Sequence, residues 1–317
     1  GFLFKSSYVN WCTVTFGSSR ESRRQFLDKV RLNSYFVWLQ KSLRELYCID
    51  EPLTVDNWQM YSNKIEKANS IEGWNIGILK NKCMYEKIIE DAYWEPGSNL
   101  GHPELFTPTF RVGMFLYGYN DQAKDHNGNN PRSIFDESPV TLEEYVDFIE
   151  RIILKKKAQG CVALKLPTAY DRDLDITETD KESARKAYGK DSSSVTGEEI
   201  VWFQNFIFFE ICRLAAKHDM PVQCHTGLGL LNKSNAMSLH EVIRKNPDTK
   251  FVIFHGSYPW MQDVCGLLHN YPNVYADICW LPLISTSACA MHIEELIEIT
   301  TADKICWGCD TWTCEES

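Results

Sequence analysis

The sequence has no long unbroken apolar run. Its longest apolar stretch, Ile200 to Ala216, is interrupted by Gln204, Asn205, Glu210 and Arg213, which excludes a membrane-spanning helix of about 20 apolar residues. Positive charge is also scarce: 33 Lys and Arg against 43 Asp and Glu leave a net charge of −10. Nucleic-acid binding needs clustered Lys and Arg, so that class of partner is excluded. No G-x-G-x-x-G follows any apolar run, so a dinucleotide fold lacks its fingerprint. No charged-then-apolar leader opens the sequence, and its 12 cysteines are scattered over 317 residues. Disulfide scaffolds are short and Cys-dense, so reduced, buried thiols and a cytoplasmic location are expected.

At ~100–200 residues per domain the length suits two domains, or one α/β barrel with an extension. Residues 20 to 70 carry a helical period, with Phe26, Val30, Phe36, Leu39, Leu43 and Leu46 at three- and four-residue steps. Beyond about residue 83, short apolar runs alternate with amphipathic segments. The expected strands are Glu86–Tyr93, Thr109–Tyr117, Cys161–Leu166, Pro221–His225, Lys250–His255, Asn273–Cys279 and Lys304–Gly308. Helix starts are marked by the S/T-x-x-E pattern at Thr141/Glu144, Thr196/Glu199 and Ser238/Glu241, and Pro259 fits a first helical turn. Such alternation predicts parallel βα units, in a doubly wound sheet or an eight-fold barrel.

Connections from helix to strand are short, as at Lys157–Gly160 and Asn246–Thr249, whereas two from strand to helix are long and polar, Gly118–Pro139 and Pro167–Val195. One edge of the sheet is therefore trimmed and the other elaborated, and in a barrel the elaborated edge carries the active site. Four polar residues stand where strands finish: Lys165, His225, His255 and Asp310. Imidazole and carboxylate suit Zn²⁺ or a similar divalent ion. A lysine among them can orient substrate as a cation or, carboxylated, bridge metals. A single strand-end histidine is ordinarily structural; four such residues on four strands favour a site.

The runs VALKLPTAYDRDLDI, QCHTGLG, FHGSYPW, NVYADICWLP and KICWGCDTW resemble, in order over roughly residues 85 to 312, the amidohydrolase superfamily. The amidohydrolase-related (amidohydrolase 2) branch of metal-dependent TIM-barrel hydrolases is the nearest match. The resemblance implies a (β/α)8 TIM barrel in which Lys165, His225, His255 and Asp310 close the fourth, fifth, sixth and eighth strands. It implies a divalent metal, Zn²⁺ ahead of others, as one or two ions held by His225, His255, Asp310 and a carboxylated Lys165. Asp310, His255 and Lys165 would be catalytic: Asp310 takes a proton from water, and His255 holds a second metal or steadies an oxyanion. The expected reaction is hydrolysis of a C–N or C–O bond in a small polar molecule.

The superfamily's first strand ends in His-x-His, and no His-x-His occurs in this sequence. The expectation is that strand 1 lies before Gly1, with residues 1–82 a helical insertion after it and 83–317 holding strands 2 to 8. The LRELYCIDEPLTVDNW stretch within that insertion is similar to uronate isomerase, which keeps a sugar-acid isomerase as an alternative; a catalytically inactive ligand-binding barrel is another. Tyr170, Arg172, Tyr258 and Trp280 are candidate substrate contacts, as is Trp94 at a strand end. Each has an ordinary reading as well, in a solvated loop, a helix start or the core. Cys306 and Cys309 form a lone C-x-x-C in an apolar strand, a poor setting for redox chemistry. His102, His126, His218, His240, His269 and His292 are read as surface residues. Association into homo-oligomers stays open.

Overall fold

Two long helices owe their positions to local sequence signals. In the computed structural model, which describes residues 17–92, 95–311 and 313–317, Thr141 caps helix Leu142–Ala158 through a reciprocal bond pair with Glu144. Thr196 and Glu199 do the same for helix Gly197–Lys217, satisfying donors that a helix start otherwise leaves unpaired. Leu142, Tyr145, Phe148, Ile149, Ile152 and Ile153 form one buried stripe at helical spacing. The third expected cap is different. Ala236–Leu239 is a 3-10 turn, and Asn235 rather than Ser238 supplies its side-chain cap. Helix His240–Lys245 follows directly and has no side-chain cap.

The described chain divides into two compact units. Among the described residues, one comprises 17–86, Cys279–Ile293 and 307–317 without 312. Its helices Arg20–Val30, Ser34–Leu46, Trp58–Asn69 and Trp74–Asn81 realise the helical period of the sequence, with Phe26, Phe36, Leu43 and Tyr61 among its most buried side chains.

The other unit, Lys87–Ile278 with Glu294–Cys306, holds every strand of the sheet. These are β1 (Ile88–Glu90), β2 (Phe106–Arg111), β3 (Ala163–Leu166), β4 (Val222–Cys224), β5 (Phe251–Ile253), β6 (Val274–Asp277) and β7 (Ile305–Cys306). Each pairs with the next in parallel, in the order β1-β2-β3-β4-β5-β6-β7. A doubly wound sheet reverses its strand order at a switch point. Here no reversal occurs, as expected for strands following one another around the arc of a barrel.

Several strand limits differ from expectation. β2 begins at Phe106 and ends at Arg111, and Gly113–Tyr117, expected as strand, is a 3-10 turn. A Cβ on Gly113 would stand 2.9 Å from the Pro167 ring, so only glycine lets the chain turn this close to the loop after β3. β5 ends at Ile253, and His255, Gly256 and Ser257 take positive φ values of 63°, 54° and 52°. Helix Met261–Asn270 starts two residues after Pro259, with Trp260 at its cap position.

The register separates the sheet's two faces. Strand side chains alternate and registered partners share a face. Phe110, Leu164, Val222, Phe251, Ile253, Val274 and Ala276 lie on one, all fully buried. Helices cover it: the Lys156 ammonium sits 5.6 Å from the Phe110 ring centre. Burying a Leu, Val or Phe side chain contributes about 1.5–3 kcal/mol, so this face holds the unit together. The other face is polar. Arg111 is registered with Lys165, Lys165 with Gln223, and Gln223 with Val252. Val252 is registered with Tyr275, and Asp277, two residues on, with Cys306. Such a face is poor core and suitable chemistry.

Candidate metal centre

His225 directly follows β4 and His255 comes two residues after β5, so neighbouring parallel strands deliver them to the same edge. Both are buried, at 3% and 1% exposure. His225 Nδ1 lies 3.0 Å from His255 Nε2, and the ring centres are 4.5 Å apart. The backbone is bent to achieve this. His255 occupies the left-handed region, which costs a residue with a side chain on the order of 1–2 kcal/mol. Gly227, at φ 83°, lets the loop after β4 approach the loop after β5 so closely that a Cβ there would lie 2.5 Å from the Tyr258 carbonyl oxygen. Thr226 Oγ1 donates to the Phe254 carbonyl at 2.7 Å, and Ser257 Oγ accepts the Ala236 N–H at 2.9 Å.

Burial pushes the His225 imidazole well below its ordinary pKa, and the adjacent His255 and the Lys165 cation push the same way. The ring is therefore neutral. With Nδ1 engaged by His255, its Nε2 is buried and meets no hydrogen-bond partner. A buried polar atom left so costs about 1–3 kcal/mol. A divalent cation at that lone pair satisfies it, and a neutral imidazole nitrogen is a donor suited to Zn²⁺. The residues fit such an ion.

Lys165, 4% exposed, is the penultimate residue of the neighbouring β3, and its Nζ stands 3.3 Å from the Phe254 ring centre. Arg111 lies beside it in register and grips Asp91 through two bonds of 2.8 Å, Nε to Oδ1 and Nη2 to Oδ2. The Tyr170 ring lies against His225, centres 4.2 Å apart. Arg172, six residues past β3, donates to the Gln204 side chain and the Asp173 carbonyl at 3.1 Å each, and burial lowers its pKa. Tyr258 is half-buried beyond His255.

Lys165, His225, His255 and Tyr170 are thus brought together at one sheet edge. Asp310 and Trp280 belong to the other unit. Asp310 is exposed, four residues after β7, at φ 50°, and Trp280 is buried at φ 66°. Trp94 lies outside the described residues. Arg111, Gln223 and Asp277 on the polar face, and the Asp91 partner of Arg111, did not stand out in the sequence. Their signal is alternation: Arg111 is two residues from Thr109, and Asp277 two from Tyr275, on strands whose intervening residues are apolar.

A parallel sheet in chain order, with a polar face and ring nitrogens at its edge, is a TIM-barrel-like α/β arrangement. Residues 186–316 match the family model described as Amidohydrolase, so the resemblance carried by the sequence motifs holds. A curated relative is Protein fluG of Emericella nidulans, 37% identical over 97 residues, or 29% of this chain and 11% of that protein. The chain thus spans about a tenth of the length of the curated relative it matches. Among solved structures, a protein assigned as a metal-dependent hydrolase from Lactobacillus casei superposes with TM-score 0.69 at 15% identity, covering 92% of this chain and 74% of that one. Uronate isomerase of Thermotoga maritima gives 0.68 at 16%, covering 93% and 72%. Glucuronate isomerase of Caulobacter crescentus gives 0.67 at 16%, covering 95% and 69%. At such identities the likeness is one of fold. Among the described residues no helix is long and apolar enough to cross a membrane.

Proposed function

We propose that this chain is a metal-dependent hydrolase acting on a C–N or C–O bond of a small polar substrate. The observation that carries the reading is the buried, unpartnered Nε2 of neutral His225 beside His255. His225 and His255 would hold a divalent ion, Zn²⁺ by donor type. When bound, such an ion lowers the pKa of water towards ~7 and polarises a carbonyl.

The chain's own residues then have distinct parts. Lys165, held against Phe254, offers its ammonium to the substrate, or as a carbamate becomes a further ligand. His255 either shares the ion or stabilises the developing oxyanion. Tyr170, Arg172 and Tyr258 shape the substrate's surroundings.

Elemental analysis tests the reading. About one or two equivalents of metal in the parent, lost in His225→Ala and His255→Ala, are expected. No metal in the parent, with all three proteins folded, overturns it and leaves a ligand-binding barrel. A sugar-acid isomerase is favoured as the second reading by the two buried cations Arg111 and Lys165 on the polar face, which suit a carboxylate, and by the fold shared with uronate isomerase. Turnover in ¹⁸O water separates the two, because only a hydrolase places the label in its product.

A further inference from the structure

A third histidine approaches this centre through the long loops. His126 comes from the Gly118–Pro139 loop after β2, and Asp171 follows Tyr170 in the Pro167–Val195 loop after β3. Asp171 binds His126 twice, Oδ1 accepting the backbone N–H at 2.7 Å and Oδ2 facing Nδ1 at 2.9 Å. A carboxylate acceptor fixes the proton on Nδ1, and Asn127 Nδ2 then donates to His126 Nε2 at 3.0 Å. With both ring nitrogens engaged the ring cannot turn freely. Its face meets Tyr170 at 5.2 Å between centres, and Tyr170 in turn meets His225 at 4.2 Å.

We infer that Asp171 and His126 form a positioning dyad that clamps Tyr170 against His225 and so aims the free Nε2 of His225. Asp171, His126, Tyr170 and His225 are consecutive contacts, each seated on a different loop or strand end except for the adjacent Tyr170 and Asp171. The dyad is 23% and 10% exposed at His126 and Asp171, so it forms the outer end of the chain and the buried imidazole its inner end. Outer-shell partners that orient a ligating histidine commonly change metal affinity 10–100-fold when removed. The inference rests on the metal-site reading above, and assigns His126 a role where its loop setting suggested an ordinary surface residue.

Co²⁺ is the probe, because its visible absorption reports ligand geometry as well as occupancy. Binding is measured by competition with a chelator in the parent, His126→Ala, His126→Asn, Tyr170→Ala and His225→Ala, with His102→Ala in an exposed turn as control. The Asn variant keeps a donor for Asp171, which guards against a loop that fails to fold. The expected result is Co²⁺ affinity about tenfold weaker in His126→Ala and Tyr170→Ala, with displaced visible bands, and no change in the control. Unchanged affinity and spectrum in both, with binding abolished in His225→Ala, overturn the dyad while the metal reading stands. If the parent takes no Co²⁺, the metal reading fails, and ¹⁵N spectra of histidine rings in the metal-free protein decide the dyad. A moved His225 ring signal in His126→Ala and in the folded His126→Asn supports it, and an unmoved one overturns it.

Discussion

Replacing Asp91 by Ala tests whether the polar face of the sheet is dry. Arg111 is 4% exposed at its side chain and Asp91 23%, and the two are joined by paired 2.8 Å bonds. Removing one partner of a buried ion pair leaves a charge that burial has stripped of water, and costs about 3–5 kcal/mol. Asp91 keeps partial contact with solvent, so the lower end applies, about 3 kcal/mol. Replacing both partners, Arg111→Met with Asp91→Leu, removes the charge together with its desolvation and should stay within about 1 kcal/mol of the parent. The assay is urea unfolding at neutral pH of the parent, the single variant and the double variant, followed by tryptophan emission. A large loss in Asp91→Ala with recovery in the double variant confirms that the guanidinium sits out of water. A loss below about 0.5 kcal/mol in Asp91→Ala, the scale of an exposed pair, refutes the reasoning and makes this face a wetted surface.

Gly227→Ala should collapse the centre without unfolding the sheet, because the new Cβ meets the Tyr258 backbone at 2.5 Å; the check is loss of metal content with an unchanged far-ultraviolet spectrum. Thr196→Ala removes the side-chain half of the capping box on helix Gly197–Lys217 and should cost about 1 kcal/mol in urea unfolding. Leu164→Ala, on the fully buried face, should cost about 2–5 kcal/mol in the same assay. In chelator, acid should destabilise the protein through His225. Its folded pKa lies far below the ordinary 6.5, so the unfolded chain binds the proton first. Stability is full above 6.5 and falls below it, by about 1.4 kcal/mol at pH 5.5, and His225→Asn should show that much less loss between pH 7.5 and 5.5.

What was readable in the sequence was local. Thr141/Glu144 and Thr196/Glu199 announce helices because a capping box is made within four residues, whereas Ser238/Glu241 misled because Asn235 caps an intervening 3-10 turn. The strand ends holding Lys165, His225 and His255 were legible as apolar runs closing on a polar residue, and the structure brings these three side by side. The run Lys250–His255 was read two residues too long, since Phe254 and His255 look like strand and only the fold imposes φ 63° at His255. Arg111 and Asp277 were not legible as site neighbours. A charge within a short strand looks the same on either face, and the register that places them comes from pairing with strands far away in the chain. His126 was hidden for a related reason: its contacts are made between two loops, where no period exists to be read.

The two faces of the sheet divide labour so completely that the protein can be altered in one respect and left alone in the other. The apolar face that meets the helices supplies the cohesion, while Thr109, Arg111, Lys165, Gln223 and Asp277 contribute little that a fold of this kind requires. Those polar residues can therefore be exchanged, together with their partners, on a framework that tolerates the exchange. A slip of a single residue in any strand is different in kind, because it would turn that strand's apolar side chains into the pocket and its reactive ones into the helices. Inheritance of this scaffold is permissive towards what the pocket holds and strict about alignment.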